Sequence, residues 1–369
     1  MLIFLPLFAN YKTKWLMKNI DQYYMQQALA LAARGKLTVS PNPMVGCIAV
    51  KNGKIIAEGW HVRAGQAHAE CLAIKQAGEQ IKGSTIYVTL EPCCYTGKTG
   101  PCTNALIEAQ VKEVVIATLD PNPQVSGKGI RQLKEAGIKV KTGILEKQAQ
   151  ELNKIFFYYQ QYQTPYVFAK WAMSLDGKTT VNAGDSRKIS SDKAAIHTHQ
   201  LRNICDAIIV GKNTLFEDNP KLNVRLDINM IVHPIKIIVF TEIKEIDLNW
   251  QILDQTCAKT VFVCSNITNL AKQTLQDLNI EFWIIPAQKD KICINSLLKK
   301  MADAGITSVL LEGGMKLIRS FATVGAINEF ITYVSPVLVA NSNPKKQLVI
   351  NKTSYIGCDL LINSKIKDN

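Results

Sequence analysis

Short apolar stretches alternate with segments of helical periodicity along the chain, and this alternation restricts the fold more than any other feature. Strands that alternate with helices form a sheet with helices packed against its faces. In the first half, a helix over 21–34 precedes a β-hairpin with the turn Asn52-Gly53, and helices then alternate with strands to residue 142. This order predicts a three-layer α/β/α domain that ends near residue 145.

A second alternation begins after Gln163-Thr164-Pro165, which we predict to be the domain boundary. A single polar helix over 144–162 is expected to lead to it. The strands predicted beyond it are 166–172, 207–210, 234–240, 260–264, 282–285, 308–311 and 330–339. The helices predicted between them are 192–204, 295–304 and 315–323. This half is therefore a second α/β domain. Because neither half contains Gly-x-Gly-x-x-Gly, any dinucleotide site differs from the ordinary Rossmann type.

The charge and the length restrict the class of protein. The 369 residues suffice for two domains with cores of their own. The formal net charge of +13 fits either nucleic-acid binding or a lysine-rich surface that attracts small phosphorylated substrates. We favour the second interpretation and expect no nucleic-acid partner, because the chain has no run of five basic residues and no basic stripe interleaved with aromatic residues.

No membrane partner and no secretion are expected. No window reaches the roughly 18 consecutive apolar residues that a membrane-spanning helix requires. The apolar stretch 1–8 is short and follows no basic residue, which argues against a secretory signal. We therefore expect a cytoplasmic protein.

The ten cysteines do not indicate a small disulfide-linked domain in a chain of this length. Five lie in apolar stretches and are expected to pack as small core residues: Cys47, Cys71, Cys205, Cys264 and Cys293. Cys93, Cys94 and Cys102 lie instead in a loop rich in Gly, Pro and Thr, where core packing does not explain them.

The loop cysteines have a matching histidine upstream. His68-Ala69-Glu70 begins a predicted helix, and Pro92-Cys93 and Cys102 follow a predicted strand. One imidazole and two thiolates bind zinc and leave its fourth position open, as in catalytic zinc sites. Glu70 is then free to move protons instead of binding the metal, an arrangement typical of zinc deaminases. We expect Cys94 to point away, because adjacent residues of an extended loop face opposite sides.

Further motifs occur in the same order along the chain as in a known family. They are Thr38-Val39-Ser40-Pro41-Asn42-Pro43-Met44-Val45-Gly46, Gly59-Trp60-His61, Gly65, Leu90-Glu91-Pro92-Cys93, Gly97-Lys98-Thr99-Gly100-Pro101-Cys102 and Asp120-Pro121-Asn122-Pro123. With the metal motif, they resemble the bifunctional riboflavin-biosynthesis deaminase-reductases, whose loop has the same long interval between the two cysteines. The resemblance extends from about Met17 to Val339.

This resemblance implies a cytidine-deaminase-like domain over 17–162 and a dihydrofolate-reductase-like domain over 163–369, with residues 1–16 outside the fold. The first domain is expected to deaminate 2,5-diamino-6-(5-phosphoribosylamino)pyrimidin-4(3H)-one with Zn²⁺. The second is expected to reduce the opened ribose of the product to ribityl with NADPH. The substrate is thus a phosphoribosyl-pyrimidine, and homo-oligomer formation is left open.

The resemblance also implies the residues that contact each ligand. Those expected to contact substrate are Asn42, His61, Lys170, Ser186, Arg202, Leu222, Arg225 and Glu312. Those expected to contact the cofactor are Ala172, Lys188, Thr214, Asp218, Gly313 and Gly314. The two glycines follow a predicted strand and open a predicted helix, where a pyrophosphate can approach backbone N–H groups.

Two positions depart from the family pattern. Lys188 stands where a large residue such as Trp is usual, and Phe240-Thr241 stands where an Asp-Ser pair is common. Both concern the expected contacts with the cofactor.

Two other interpretations stay open from the sequence. One is a nucleoside or nucleic-acid base deaminase whose second domain binds a nucleotide without catalysis. The other is a zinc-stabilised nucleic-acid-binding protein, which would need a fourth protein ligand to the metal.

Overall fold

A computed structural model of the chain describes residues 20–95, 100–179, 189–339, 346–356 and 359–366. The predicted extension 1–16 lies outside these residues, as do Ser186 and Lys188. The chain divides between Thr164 and Pro165 into two compact units, and each is described by itself.

The N-terminal unit contains one mixed sheet between two layers of helices. Its helices are α1 (Ile20–Ala32), α2 (Ala69–Ala77), α3 (Cys102–Glu108), α4 (Lys128–Glu135), α5 (Glu146–Leu152) and α6 (Lys154–Tyr162), with 3-10 turns at Ala33–Gly35 and Gly78–Ile81. Its strands are β1 (Gly46–Lys51), β2 (Lys54–Trp60), β3 (Thr85–Leu90), β4 (Glu113–Thr118) and β5 (Lys139–Thr142). The strand order is β2-β1-β3-β4-β5. Strand β1 pairs antiparallel with β2 and β3, whereas β3, β4 and β5 run parallel.

Alternate residues of β1 face the two helical layers, since successive side chains of a strand point to opposite faces. Cys47 and Ala49 pack in a core with helices α2, α3 and α4. Ile48 and Val50 pack in a second core with helices α1 and α5. The three-layer α/β/α arrangement predicted from the sequence is therefore present.

The C-terminal unit contains a parallel sheet of seven strands. Its helices are α7 (Asp192–Ile204), α8 (Lys212–Asp218), α9 (Asn269–Asp277), α10 (Ile294–Asp303) and α11 (Met315–Thr323), with a 3-10 turn at Gln251–Leu253. Its strands are β6 (Tyr166–Ser174), β7 (Ala207–Gly211), β8 (Ile235–Val239), β9 (Glu242–Ile243), β10 (Thr260–Cys264), β11 (Asn266–Ile267), β12 (Glu281–Ile284), β13 (Ala287–Gln288), β14 (Lys291–Ile292), β15 (Ser308–Leu311), β16 (Glu329–Ser335), β17 (Val337–Leu338), β18 (Lys346–Ile356) and β19 (Asp359–Ile366).

The strand order of the large sheet is β12-β10-β8-β7-β15-β6-β16, and each neighbouring pair is parallel. Ile209 and Ile237 face a core that includes α10 and α11. Ile208 and Ile238 face a second core that includes α8 and α9. Both faces of the sheet are thus covered by helices, as expected for parallel strands.

Two predicted elements are interrupted. The helix expected over 144–162 is two helices, because Asn153 leaves helical geometry at φ −106° and ψ 21°. The strand expected over 330–339 is β16 and β17, because Pro336 between them has no N–H group for a strand ladder.

Other elements were not predicted from the sequence. Helix α9 begins after Thr268, whose Oγ1 accepts a hydrogen bond from the N–H of Ala271 at 3.2 Å. Thr is a preferred N-cap residue, so the start of this helix could have been predicted from the sequence. Helix α8 and the antiparallel pair β18–β19 were also missed. The β18–β19 pair lies beyond Val339, where the motifs that we recognised in the sequence end.

The expected burial of the cysteines is only partly correct. Cys47, Cys205 and Cys264 are buried in the structure. Cys71 and Cys293 are only half-buried, so the prediction that they are core residues was wrong.

Among the described residues, no helix combines the length and the apolar character needed to cross a membrane.

Gly46 provides a test of the packing between α1 and the sheet. A Cβ atom at this position would lie 2.0 Å from the carbonyl oxygen of Ala28 in α1. We predict that Gly46→Ala lowers the free energy of unfolding by about 3 kcal/mol, because backbone atoms cannot move aside as a side chain can. Urea denaturation followed by circular dichroism measures this loss. In the control Gly100→Ala, the added Cβ has no neighbour within 4 Å, and equal midpoints for the two variants would contradict the prediction.

Candidate active sites

Three predicted metal ligands lie together in the N-terminal unit. His68 precedes α2, Cys102 is the first residue of α3, and Cys93 lies in the loop after β3. The Nδ1 atom of His68 is 3.2 Å from Sγ of Cys102 and 3.5 Å from Sγ of Cys93. Atoms bound to one tetrahedral zinc at about 2.0–2.3 Å lie roughly 3.3–3.8 Å apart, so the spacing and the donor atoms fit zinc.

Glu91 fixes the loop that contains Cys93. Its buried carboxylate accepts hydrogen bonds from the N–H of Gly127 at 3.0 Å and the N–H of Ile130 at 3.2 Å. These donors lie at the start of helix α4, where the helix dipole favours a negative charge. Glu91 thereby attaches the metal-binding loop to α4. Glu91 belongs to the motif Leu90-Glu91-Pro92-Cys93, but the sequence did not predict its contact with α4.

Glu70 lies in the first turn of α2 and is only 3% exposed. Burial, with a contribution from the neighbouring Cys93 thiolate, raises the pKa of this carboxyl to about 7. A carboxyl that titrates near neutral pH can accept and release a proton within one reaction cycle.

Asn42 and His61 lie next to the metal ligands. The Nδ2 atom of Asn42 is 3.2 Å from Nε2 of His61, and Nδ1 of His61 is 3.3 Å from the carbonyl oxygen of Ala67. Because a carbonyl only accepts, we assign the proton to Nδ1, so Nε2 accepts from Asn42. Burial lowers the pKa of His61, which favours the neutral ring. The His61 and His68 rings meet edge to face at 5.4 Å.

Cys94 and Cys71 differ in their relation to the metal ligands. The Sγ atom of Cys94 points towards the carbonyl oxygen of Gln124 at 3.9 Å and does not join the cluster. The thiol of Cys71, in contrast, hydrogen-bonds to Cys102, and this bond lowers the pKa of Cys71 to about 7. Because Cys71 follows His68 by three residues, it shares a face of α2 with that ligand, and helical spacing could have revealed it.

A cavity of about 1020 Å³ opens at the carboxyl ends of the strands in the C-terminal unit. Ligands of open parallel sheets bind at these ends. The predicted residues that line the cavity are Lys170, Ala172, Arg202, Thr214, Asp218, Leu222, Glu312, Gly313 and Gly314. Arg225 lies beside it, where its Nη1 donates to Oδ1 of Asn223 at 2.7 Å.

Glu312 is the centre of a charged cluster in this cavity. Arg202 donates to its two carboxylate oxygens, from Nε at 2.7 Å and from Nη2 at 2.9 Å. The ammonium of Lys170 lies 4.0 Å from Oε2 of the same carboxylate. Burial alone would raise the pKa of Glu312, but the hydrogen bonds and charge of Arg202, together with Lys170, outweigh it and lower that pKa. Glu312 is therefore ionised at neutral pH.

His199 was not predicted, although it contacts two of the arginine positions. Its Nδ1 accepts a hydrogen bond from the N–H of Arg225 at 3.3 Å. Burial and the charges of Arg202 and Arg225 lower the pKa of His199 to about 4. A neutral imidazole can therefore stay between two cationic side chains without adding a third positive charge.

Gly314 precedes the nine-residue helix α11, and the chain at Gly313 passes close to that helix. A Cβ atom at Gly313 would lie 3.1 Å from Cδ2 of Leu317, so the absence of side chains keeps this end of the helix open to the cavity. The N-terminus of a helix presents unpaired N–H groups and a positive dipole end, which together bind phosphate groups.

Two protein families match this chain. Residues 18–118 match the cytidine and deoxycytidylate deaminase zinc-binding region, and residues 165–348 match the RibD C-terminal domain. The first range contains the metal ligands and Glu70, and the second contains the lining of the cavity.

Full-length relatives cover both units. The riboflavin biosynthesis protein RibD of Aquifex aeolicus (strain VF5) is 39% identical over 324 residues, which are 88% of this chain and 89% of that protein. RibD of Bacillus amyloliquefaciens is 40% identical over 323 residues, which are 88% of this chain and 86% of that protein. These identities extend across both predicted domains.

Solved structures agree with the fold. Acinetobacter baumannii RibD in its form 2 has a TM-score of 0.77 at 36% identity and covers 94% of this chain and 99% of its own. A Thermotoga maritima diaminohydroxyphosphoribosylaminopyrimidine deaminase/5-amino-6-(5-phosphoribosylamino)uracil reductase has a TM-score of 0.72 at 30% identity, with coverages of 95% and 99%. The predicted resemblance and fold class are confirmed.

The ligand set can be tested by zinc content. We predict that Cys93→Ser and Cys102→Ser each lose most of the bound zinc, because a serine hydroxyl replaces a thiolate ligand. Cys94→Ser is the matched control in the same loop and should keep about one zinc per chain. Elemental analysis after dialysis measures all three variants. Zinc loss in Cys94→Ser, with retention in the other two, would contradict the assignment.

Proposed function

This chain belongs to the RibD family of bifunctional deaminase-reductases of riboflavin biosynthesis, and from that membership we propose which substrates its two units convert and which residues act on them. The observation that carries the proposal is a pair of sites in one chain. One site places three zinc-type ligands beside a buried glutamate, and the other is a large cavity that ends on a glycine-capped helix.

The first unit acts on 2,5-diamino-6-(5-phosphoribosylamino)pyrimidin-4(3H)-one, where water replaces a ring amine and ammonia leaves. The second unit acts on the resulting 5-amino-6-(5-phosphoribosylamino)uracil and reduces its ribosyl group to ribityl with NADPH. A cytoplasmic location suits this proposal, because the thiolate ligands must stay reduced.

His68, Cys93 and Cys102 would bind the zinc ion of the deaminase. Zinc bound by three protein ligands lowers the pKa of a coordinated water to about 7 and so supplies the nucleophile at neutral pH. Glu70 would accept a proton from the attacking water and deliver it to a ring nitrogen or to the departing amine. Burial raises the pKa of this carboxyl, which helps it to hold the proton between the two transfers.

Asn42 and His61 orient the pyrimidine ring in this proposal. The neutral imidazole fixes the amide of Asn42 through the 3.2 Å contact, so the remaining polar atoms of that amide can face the ring. A preorganised amide recognises a heterocycle at a low cost in side-chain entropy.

The charged cluster of the second cavity binds the phosphoribosyl group. Ionised Glu312 fixes Arg202 and lies near Lys170, and it can accept hydrogen bonds from sugar hydroxyls. Reduction adds a hydride to a carbon of the opened ribose and a proton to the attached heteroatom. Lys170 provides both a positive charge and a proton at this position.

The NADPH site would use the part of the cavity that follows Glu312 in the chain. Gly313, Gly314 and the first turn of α11 offer backbone N–H groups to the pyrophosphate, and NADPH supplies the hydride. Ala172, Thr214 and Asp218 line the same cavity and complete the proposed contacts.

The alternative of a nucleoside or nucleic-acid base deaminase is less well supported. It gives no chemical reason for the Lys170, Arg202 and Glu312 cluster, which suits a sugar phosphate and a reducible carbon. Assays on cytidine and on single-stranded RNA separate the two proposals, and deamination of either at rates comparable to the diaminopyrimidine would favour the alternative.

Glu70→Gln tests the deaminase proposal. We predict that this variant loses deamination by about 10²–10⁴-fold, because an amide cannot transfer the proton. Its zinc content should stay near one per chain, since Glu70 is not a ligand in this proposal. Ammonia release and elemental analysis on the same preparation measure the two quantities. Joint loss of zinc and activity would instead indicate that Glu70 supports metal binding.

Lys170→Ala tests whether the two activities are separate. We predict that NADPH oxidation with the deaminated intermediate falls about ten- to a hundredfold, because a charge-assisted hydrogen bond is lost in the transition state. Deamination of the first substrate should change little. The control Lys299→Ala removes an exposed lysine outside the cavity and should leave both rates unchanged. Equal losses of both activities in Lys170→Ala would disprove separate sites.

A further inference from the structure

Asn153 binds a distant loop through both polar atoms of its side chain. Its Oδ1 accepts a hydrogen bond from the N–H of Met44 at 2.8 Å, and its Nδ2 donates to the carbonyl oxygen of Met44 at 2.8 Å. Asn153 is only 2% exposed and lies 109 residues from Met44 in the chain. A buried pair of matched hydrogen bonds defines both the position and the orientation of the peptide that it holds.

The helical break at Asn153 makes this contact possible. Its backbone N–H ends α5 on the carbonyl of Ala149 at 3.2 Å, and its own carbonyl accepts from Phe157 in α6 at 2.9 Å. The side chain caps neither helix and reaches the Met44 loop instead. Asn in the interior of a continuous helix would contribute little stability, so the break is better explained by the contact than by helix formation.

Met44 connects Asn153 to the proposed pyrimidine pocket. Asn42 lies two residues before Met44 and contacts His61. Val45 follows Met44, and its carbonyl oxygen accepts from the N–H of His61 at 2.9 Å. Met44 therefore lies in the chain between Asn42 and Val45, the two residues whose contacts position His61.

We propose that Asn153 is a positioning residue of the deaminase, which fixes the segment Asn42–Val45 so that Asn42 and His61 keep their places around the pyrimidine ring. This inference rests on the proposed deaminase function. Asn153 itself touches neither the metal ligands nor, in this proposal, the reacting atoms. Its effect acts through Met44 and reaches the substrate through Asn42.

The two hydrogen bonds to Met44 require an amide side chain at position 153. Met44 offers one donor and one acceptor, and only an amide side chain of this length supplies the complementary pair. In Asn153→Asp, the carboxylate keeps the acceptor but places a second oxygen against the carbonyl of Met44. In Asn153→Ala, both hydrogen bonds are absent. The two variants therefore weaken the same contact to different degrees and by different means.

The experiment measures deamination and stability on four proteins: the wild type, Asn153→Asp, Asn153→Ala and the control Tyr87→Phe. Tyr87 is also buried in the N-terminal unit, and its hydroxyl donates to Asp21 at 2.8 Å, away from the Met44 loop. Each substitution should lower the melting temperature by a few degrees. Only the Asn153 variants should raise KM for the diaminopyrimidine phosphate, by about three- to tenfold, with kcat changed less than about twofold.

Two further measurements show whether a change in KM has another cause, such as loss of zinc or damage to the second unit. Zinc content should stay near one per chain, and NADPH oxidation with the deaminated intermediate should be unchanged in every variant. An unchanged KM in folded Asn153→Asp would overturn the inference, and so would an equal rise of KM in Tyr87→Phe. Absence of deamination in the wild type would instead overturn the proposed function itself, so the two failures are distinguishable.

Discussion

The depth at which helix α2 packs against the sheet is the constraint on which the deaminase site depends. A Cβ atom at Gly59 in β2 would lie 2.2 Å from the carbonyl oxygen of Ala69, so the helix and the strand meet backbone to backbone at its first turn. This contact fixes His68 and Glu70, which flank Ala69. The loop with Cys93 must then reach the same point, and Glu91 brings it there from the other side by its hydrogen bonds to the start of α4. Backbone packing therefore brings the proposed metal ligands together.

The cavity of the second unit depends on charge instead of close backbone packing. Glu312 lies at the end of the interior strand β15, where Arg202 from α7 and Lys170 from β6 converge on it. A buried carboxylate without these partners would be unfavourable, because burial penalises its charged form. The bidentate contact with Arg202 offsets that cost and orients the guanidinium. The cluster therefore keeps charged groups in a cavity that, in the function that we propose, takes a phosphorylated substrate.

Strand alternation predicted the three layers of the N-terminal unit and the α/β character of the C-terminal unit, and the spacing of His68, Cys93 and Cys102 predicted a metal site, because these are local patterns. The residues expected around the second cavity came instead from the family resemblance. The sequence did not predict contacts between a side chain and a distant part of the chain. Asn153 looked like an ordinary residue of a polar helix, since its partner Met44 is 109 residues away. Cys71 looked like a core residue, since apolar neighbours surround it in the sequence, but its thiol contacts Cys102. The interruption of the predicted strand at Pro336, in contrast, could have been predicted from the sequence, because proline has no N–H group.

Glu70 and Glu312 show how position decides the chemistry of one residue type. Among the described titratable side chains, Cys93, His68 and Cys71 act on Glu70, and burial raises its pKa to about 7. Glu312 lines a cavity with 9% of its side chain exposed, and Arg202 and Lys170 lower its pKa. In the roles that we propose, the first carboxyl exchanges a proton with water and the pyrimidine, as deamination requires, and the second stays charged and accepts hydrogen bonds. In these proposed roles, exchanging the two environments would remove both functions: a permanently ionised Glu70 could not take up the proton of the water, and a neutral Glu312 would no longer fix Arg202 for the substrate phosphate.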